Sequence, residues 1–284
     1  MGWPASFYTG FSRVVSKVIG LALALVIGLG CGSSALAQSA ASDAAAFSPR
    51  DIQAIAELKQ SAFTASQAGQ FAAAEDLWSE LIEYLPDEAA VWSNRGNVRV
   101  SQNKLTEALA DYGQAIKLAP NEPDPYLNRG AALEGLGRWE DAIADYTHVL
   151  EINPKDAAAY NNRGNARAGL GQWETALKDY REAVALDPQF AFARINEALA
   201  LYQTGQTDQA IRQFRSLSRK YPNFPDARAA LTAALWEAGQ RGEAESNWVA
   251  VMGLDGRYKD LDWVRTIRRW PPAMVTALEK FLNL

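Results

Sequence analysis

The sequence predicts an all-α protein, a solenoid of six helix hairpins of 34 residues each with capping helices at the C-terminal end. Three observations predict it. The tripeptide Asn94-Arg95-Gly96 recurs as Asn128-Arg129-Gly130 and Asn162-Arg163-Gly164, each 34 residues after the last. The frame extends without insertion or deletion to six blocks, residues 55–88, 89–122, 123–156, 157–190, 191–224 and 225–258. Within it, helix-ending residues and apolar residues keep fixed places, and the composition is rich in Ala and poor in alternating β-branched runs.

The first 37 residues stand apart, and are expected to be a signal peptide. Arg13 and Lys17 are their only charges, and the apolar run 18–29 is 12 residues long, short for a membrane span and suited to an export signal. Ala35-Leu36-Ala37 is a small-x-small cleavage sequence. Two other fates stay open, lipidation at Cys31 and retention as an uncleaved anchor. Cys31 is the only cysteine, so cleavage after Ala37 leaves no thiol for a disulfide, a nucleophile or a zinc cage. It also leaves 26 basic against 33 acidic residues, net −7, which argues against nucleic acid as a partner.

Residues 38–54 are a linker that becomes a helix start. Ser48-Pro49-Arg50-Asp51 offers an N-cap, a proline at the first helical position and an acid three residues after the serine.

The six blocks follow, and each recurrent residue has a physical reason. Counting a block's first residue as offset 1, offset 15 is Gly in five blocks and Asn103 in the sixth. Gly and Asn tolerate the left-handed backbone that ends a helix. Offset 32 is Pro in five blocks and Gly256 in the last, which stops the second helix. Offset 20 is always Ala (Ala108, Ala142 and Ala176 among them), and offset 8 is small (Gly96, Gly130, Gly164). Offset 24 is always aromatic (Tyr112, Tyr146, Tyr180). Small residues let the paired helices approach, and the aromatic fills the gap beside them. One hairpin leaves its apolar stripe bare, so neighbours must stack.

This pattern resembles the tetratricopeptide repeat family, which implies a right-handed α-α superhelix. The family's large aliphatic residue at offset 7 is replaced by Arg95, Arg129 and Arg163, in the blocks that carry Asp111, Asp145 and Asp179 at offset 23. The next block carries Glu197 and Gln213 instead. Arg and Asp vary together, so they are expected to form an ion pair between the helices of a repeat, contributing about 1 kcal/mol if partly exposed.

Beyond the repeats, residues 260–270 are expected to form a seventh first-helix with Leu261, Val264 and Ile267 on its apolar face. Trp270-Pro271-Pro272 breaks it, and residues 273–282 form a final amphipathic helix. The tail 257–284 has six basic and three acidic residues in a chain that is otherwise acidic. Trp263 and Trp270 with Arg265, Arg268 and Arg269 form either an exposed partner surface or a cap whose tryptophans close the core. Asp255-Gly256-Arg257-Tyr258, then Asp262-Trp263-Val264, then Arg269-Trp270-Pro271-Pro272 resemble the tail of cyanobacterial and plastid tetratricopeptide proteins.

Catalysis is not expected. His148 is the only histidine, no His, Asp and Glu cluster has metal-ligand spacing, and no glycine-rich phosphate loop is present. No cofactor, metal or small-molecule substrate is implied. The candidate site is a row of amides at offset 6, Asn94, Asn128, Asn162 and Asn196, widened by Asn97 and Asn165. The resemblance places this offset on the concave groove, where amides match the N–H and C=O of an extended peptide. The alternative is that these asparagines belong to the Asn-Arg-Gly subtype and face water. A cytosolic heat-shock chaperone tail is not the expected peptide, because the lysines and arginine that the family uses for it are missing. The resemblance and the export signal together imply a non-catalytic adaptor for protein or peptide partners on the exported side of a membrane, in the periplasm or thylakoid lumen. Its expected client is a membrane-associated complex, and the cyanobacterial and plastid resemblance implies a photosynthetic one. An envelope-organising protein that works through its convex face or its tail is the alternative.

Overall fold

A computed structural model describes residues 47–283. The expected signal peptide, its cleavage sequence and Cys31 lie outside them. The described residues form fourteen α-helices: α1 Pro49–Gln67, α2 Phe71–Tyr84, α3 Ala89–Ser101, α4 Leu105–Leu118, α5 Pro123–Gly135, α6 Trp139–Ile152, α7 Ala157–Gly169, α8 Trp173–Leu186, α9 Ala191–Gln203, α10 Thr207–Lys220, α11 Pro225–Glu237, α12 Arg241–Leu254, α13 Leu261–Thr266 and α14 Pro272–Leu282. No strand occurs among them. The chain divides into two compact units, the first ending at Ala132 and the second running from Leu133.

In unit 1, Ser48 and Asp51 cap α1 reciprocally, each side chain bonding the other's backbone N–H. α1 packs on α2, α2 on α3 and α3 on α4, so each hairpin covers the stripe its neighbour leaves open. Ala62, Ala74, Trp78, Leu81 and Val91 form one core cluster, and Val100, Ala108, Tyr112 and Ala132 another. A Cβ added at Gly96 would lie 2.7 Å from the Tyr112 ring, so these helices approach closely because offset 8 carries no side chain. The turn between α3 and α4 holds Asn103 at φ 61°, the conformation that glycine supplies at the other first-helix ends.

In unit 2, α7 to α12 repeat the arrangement around one continuous core from Ala176 to Phe281. The end of the chain departs from expectation. The helix expected over 260–270 runs only from Leu261 to Thr266. Arg268 and Trp270 both bond Asp226, and side chains two apart on a helix point to different sides, so the helix must stop before them. Arg269 between them is left-handed at φ 52°, and Ile267, expected on the apolar face, is 62% exposed. α14 then folds back and packs against the first helices α11 and α9, with Met274, Val275, Leu278 and Phe281 buried.

Candidate functional site

In the second and fourth repeats an ion-pair network ties the first helix to the second. In unit 1 the Arg95 guanidinium grips Asp111 with two parallel bonds of 3.0 and 2.8 Å and reaches Ser79 Oγ on α2 at 3.2 Å. Arg99 donates to the same carboxylate at 2.8 Å and to Glu75 at 2.9 Å. Burial pushes the Glu75 carboxyl upward, but hydrogen bonds from Lys104, Arg99 and Gln102 outweigh it and hold the group at about 2. In unit 2, Arg163 grips Asp179 at 3.1 and 2.9 Å while Arg167 adds a bond of 2.6 Å. The expected pairing of Arg95 with Asp111 and of Arg163 with Asp179 therefore forms. It is deeper than a partly exposed pair, since Asp111 is 1% exposed, and each aspartate takes two arginines. Arg99 and Arg167 were not expected, although both stand at offset 11 of their blocks. Glu197 and Gln213 also pair, at 3.1 Å, with the acidic partner now on the first helix.

The amides do not form one uniform ladder. In unit 1, Asn94 and Asn128 are half-buried, and their side chains have no hydrogen-bond partner among the described residues. Asn97 accepts from the Tyr112 hydroxyl at 2.7 Å, which leaves its N–H₂ as the free end. Burial, and after it the Asp111 charge, push that hydroxyl well above the ordinary tyrosine range, so it remains a donor. In unit 2 the amides hold one another. Asn196 donates to Asn161 at 3.0 Å and to Asn165 at 3.1 Å, Asn161 donates to Asn162, and Tyr180 donates to Asn165 at 3.0 Å. Asn161 lies outside the expected row, yet it is the buried member that closes this cluster.

The tail also departs from an exposed tryptophan and arginine surface. Trp270 is 5% exposed and packed in the core, and Trp263 is half-buried edge-on to Tyr258 at 5.2 Å. Arg268 pairs with Asp226, and Arg265 with Asp262. Arg269 lies over the Trp139 ring at 5.1 Å and bonds Glu134 at 3.1 Å. Of the two readings of the tail, the closing cap is the one the packing follows. The reason is long-range: acids on first helices, Glu134 and Asp226, pair with Arg269 and Arg268 and so offset their charge, although Arg269 stays exposed. Burial pushes the Glu134 carboxyl up to about 7, against hydrogen bonds from Tyr146 and Arg269 that favour its charged form. The Ala273 N–H adds a bond of 2.8 Å to Gln203, and Lys280 one of 2.9 Å to Glu237.

Among the described residues no group of His, Cys, Asp and Glu could hold a metal ion, and no helix is long and apolar enough to cross a membrane. His148 lies at the surface with Nδ1 3.1 Å from the Glu151 carboxylate.

Family models described as TPR repeat match residues 96–137 and 135–171, and models described as tetratricopeptide repeat match 157–190 and 195–251. No curated protein matches the chain. Among solved structures, a tetratricopeptide repeat protein from Parabacteroides merdae is similar at a TM-score of 0.64 and 20% identity, covering 81% of this chain and 93% of that one. YrrB, described as a TPR protein with an unusual peptide-binding site, is similar at a TM-score of 0.52 and 22% identity over 63% of this chain and 92% of its own. MamA is similar at a TM-score of 0.52 and 22% identity over 57% of this chain and 95% of its own.

Proposed function

The chain belongs to the tetratricopeptide repeat family, and from that premise we propose that it is a non-catalytic adaptor that holds an extended peptide of a partner protein against the first-helix face of unit 1. The observation that carries this reading is the unpartnered pair Asn94 and Asn128, which stand one repeat apart, with the N–H₂ of Asn97 beside them. An amide carries one acceptor and two donors, the complement of a peptide backbone, so such a face takes main chain with little regard to sequence. The similarity to YrrB, itself described by a peptide-binding site, supports the class of partner. In unit 2 the Asn196 N–H₂ and the oxygens of Asn161, Asn162 and Asn165 are engaged within the amide cluster, and α14 packs on α9 and α11, so the proposal is confined to unit 1.

Magnitude limits what the amides do. Three hydrogen bonds at a net ~1 kcal/mol each fall well short of the ~8 kcal/mol of a micromolar complex, so the partner adds apolar or charged contacts. The apolar run and cleavage sequence within residues 1–37 support action on the exported side of a membrane, in the periplasm or thylakoid lumen, with a membrane-associated complex as client. The test is a pull-down from membranes followed by titration with the recovered partner segment. Asn94→Ala/Asn128→Ala is expected to weaken binding about tenfold or more with the fold intact. Unchanged affinity in that variant would overturn the site.

A further inference from the structure

The seam between the fifth and sixth repeats differs from those at the second and fourth repeats, and the geometry points to a binding site there for a phosphoryl-type oxyanion. At the second and fourth repeats the seam is filled. Arg95 lies over Trp92 at 5.0 Å and Arg163 over Tyr160 at 5.4 Å, each tied to its aspartate and to a hydroxyl of the preceding helix. At the sixth repeat every one of those parts is exchanged. Leu231 replaces the arginine, Asn247 the aspartate and Arg228 the aromatic residue. On α10, Ser218 replaces the aliphatic residue that the earlier repeats carry as Ile82, Ile116, Leu150 and Val184. A cleft of about 320 Å³ opens in place of the filled seam, lined by Arg215, Ser218, Arg219, Arg228, Glu243 and Asn247.

Two features of the lining call for an anion. Three arginines face one carboxylate, and Arg228 makes only long contacts, 3.4 Å to Asn247 Oδ1, 3.4 Å to the Pro222 carbonyl and 3.5 Å to the Ser218 carbonyl. Arg215 spends Nε and Nη2 on Glu243 and Gln240, whereas the side chain of Arg219 bonds only a backbone carbonyl at 3.3 Å. Independently, Ser218 is 4% exposed and its hydroxyl has no hydrogen-bond partner among the described residues, an arrangement that costs desolvation energy until an acceptor arrives. Guanidinium forks and a hydroxyl converging from α10 and α11 suit a tetrahedral ion with several oxygens, and arginine is the side chain best matched to that geometry. Leu231 lines the cleft with no competing charge. The volume exceeds that of a bare ion, so the phosphoryl group could arrive free or on a phosphorylated side chain of a partner.

Calorimetric titration of the full chain with inorganic phosphate, at ionic strength held constant with chloride, tests the site. Saturable one-to-one binding is expected, with a Kd of about 1 mM. Arg228→Gln is expected to weaken it at least about tenfold, the loss of a charge-assisted bond. Ser218→Ala is expected to weaken it several-fold while leaving the melting temperature of the unliganded protein unchanged or raised, which separates binding from folding. A phosphoserine peptide run beside the free ion distinguishes the sources: tighter binding assigns the site to a phosphorylated partner, equal or weaker binding to the free oxyanion. No saturable heat, or equal affinity in both variants, would overturn the proposal.

Discussion

Arg269 reaches Glu134 across 135 residues of sequence, placing one guanidinium nitrogen 3.1 Å from the carboxylate and another 3.4 Å from the same residue's backbone carbonyl. The contact joins the tail of unit 2 to the first residues of that unit, and it does so around a carboxyl that is buried beneath the Tyr146 hydroxyl.

Glu134 therefore gives unit 2 a pH dependence. Its folded-state value of about 7 lies above the ordinary glutamate value of 4.5, so the folded chain holds a proton that the unfolded chain has released between those limits. Stability from this group is fully present below about 4.5 and is lost as pH rises through about 7, a decline on the order of 3 kcal/mol. Urea unfolding followed between these pH values should show the decline in the native chain and a flatter profile in Glu134→Gln.

Removing the acid at a repeat seam should be more damaging than removing a surface acid. Asp111→Ala takes from partly buried Arg95 the carboxylate it grips and leaves Arg99 with Glu75 alone, and a loss of about 3–5 kcal/mol is expected. Asp141→Ala, whose partner Arg138 is more than half exposed, should change stability by less than about 1 kcal/mol. Chemical denaturation of the two variants checks the contrast.

Two helical glycines should respond with opposite signs to the same substitution. Gly96→Ala drives a methyl to 2.7 Å from the Tyr112 ring, and a cost of about 1–3 kcal/mol is expected. Gly113→Ala meets nothing within 4 Å and should stabilise α4 by up to about 1 kcal/mol. Thermal melts of both variants, compared with the native chain, decide it.

Trp270 should behave as a core residue. Trp270→Ala removes a buried ring that donates to Asp226, and about 3–5 kcal/mol of stability should be lost. If the tail were an exposed docking surface, the variant would melt like the native chain and lose only partners.

Much of the hairpin architecture is legible because local chemistry forces it. Gly at offset 15 and Pro at offset 32 stop helices wherever they stand, and Asn103 could be read as the one substitute the left-handed turn allows. The pairing of Arg95 with Asp111 was legible through covariation inside one chain. What stayed hidden depends on where distant segments meet. Nothing around Arg268 or Trp270 announces Asp226 as their shared partner, and the tail's surplus of positive charge suggests an exposed patch until that acid is placed beside it. The amides were hidden for the same reason. Asn196 and Asn94 share an offset, but only Asn196 has Asn161 and Asn165 within reach, so identical sequence positions end with different hydrogen-bonding capacity.

Repeat arrays usually gain or lose modules freely, because each module touches only its neighbours. The tail of this chain removes that freedom over part of its length. Consecutive residues Arg268 and Arg269 are anchored on Asp226 and Glu134, in the sixth and third modules, and Ala273 is anchored on Gln203 in the fifth. Inserting or deleting one module between Glu134 and Asp226 would carry one anchor a full repeat away from its partner while the other stayed in place. The folded-back segment thus works as a ruler, fixing the number of modules it spans and confining evolutionary growth of the array to the side before Glu134.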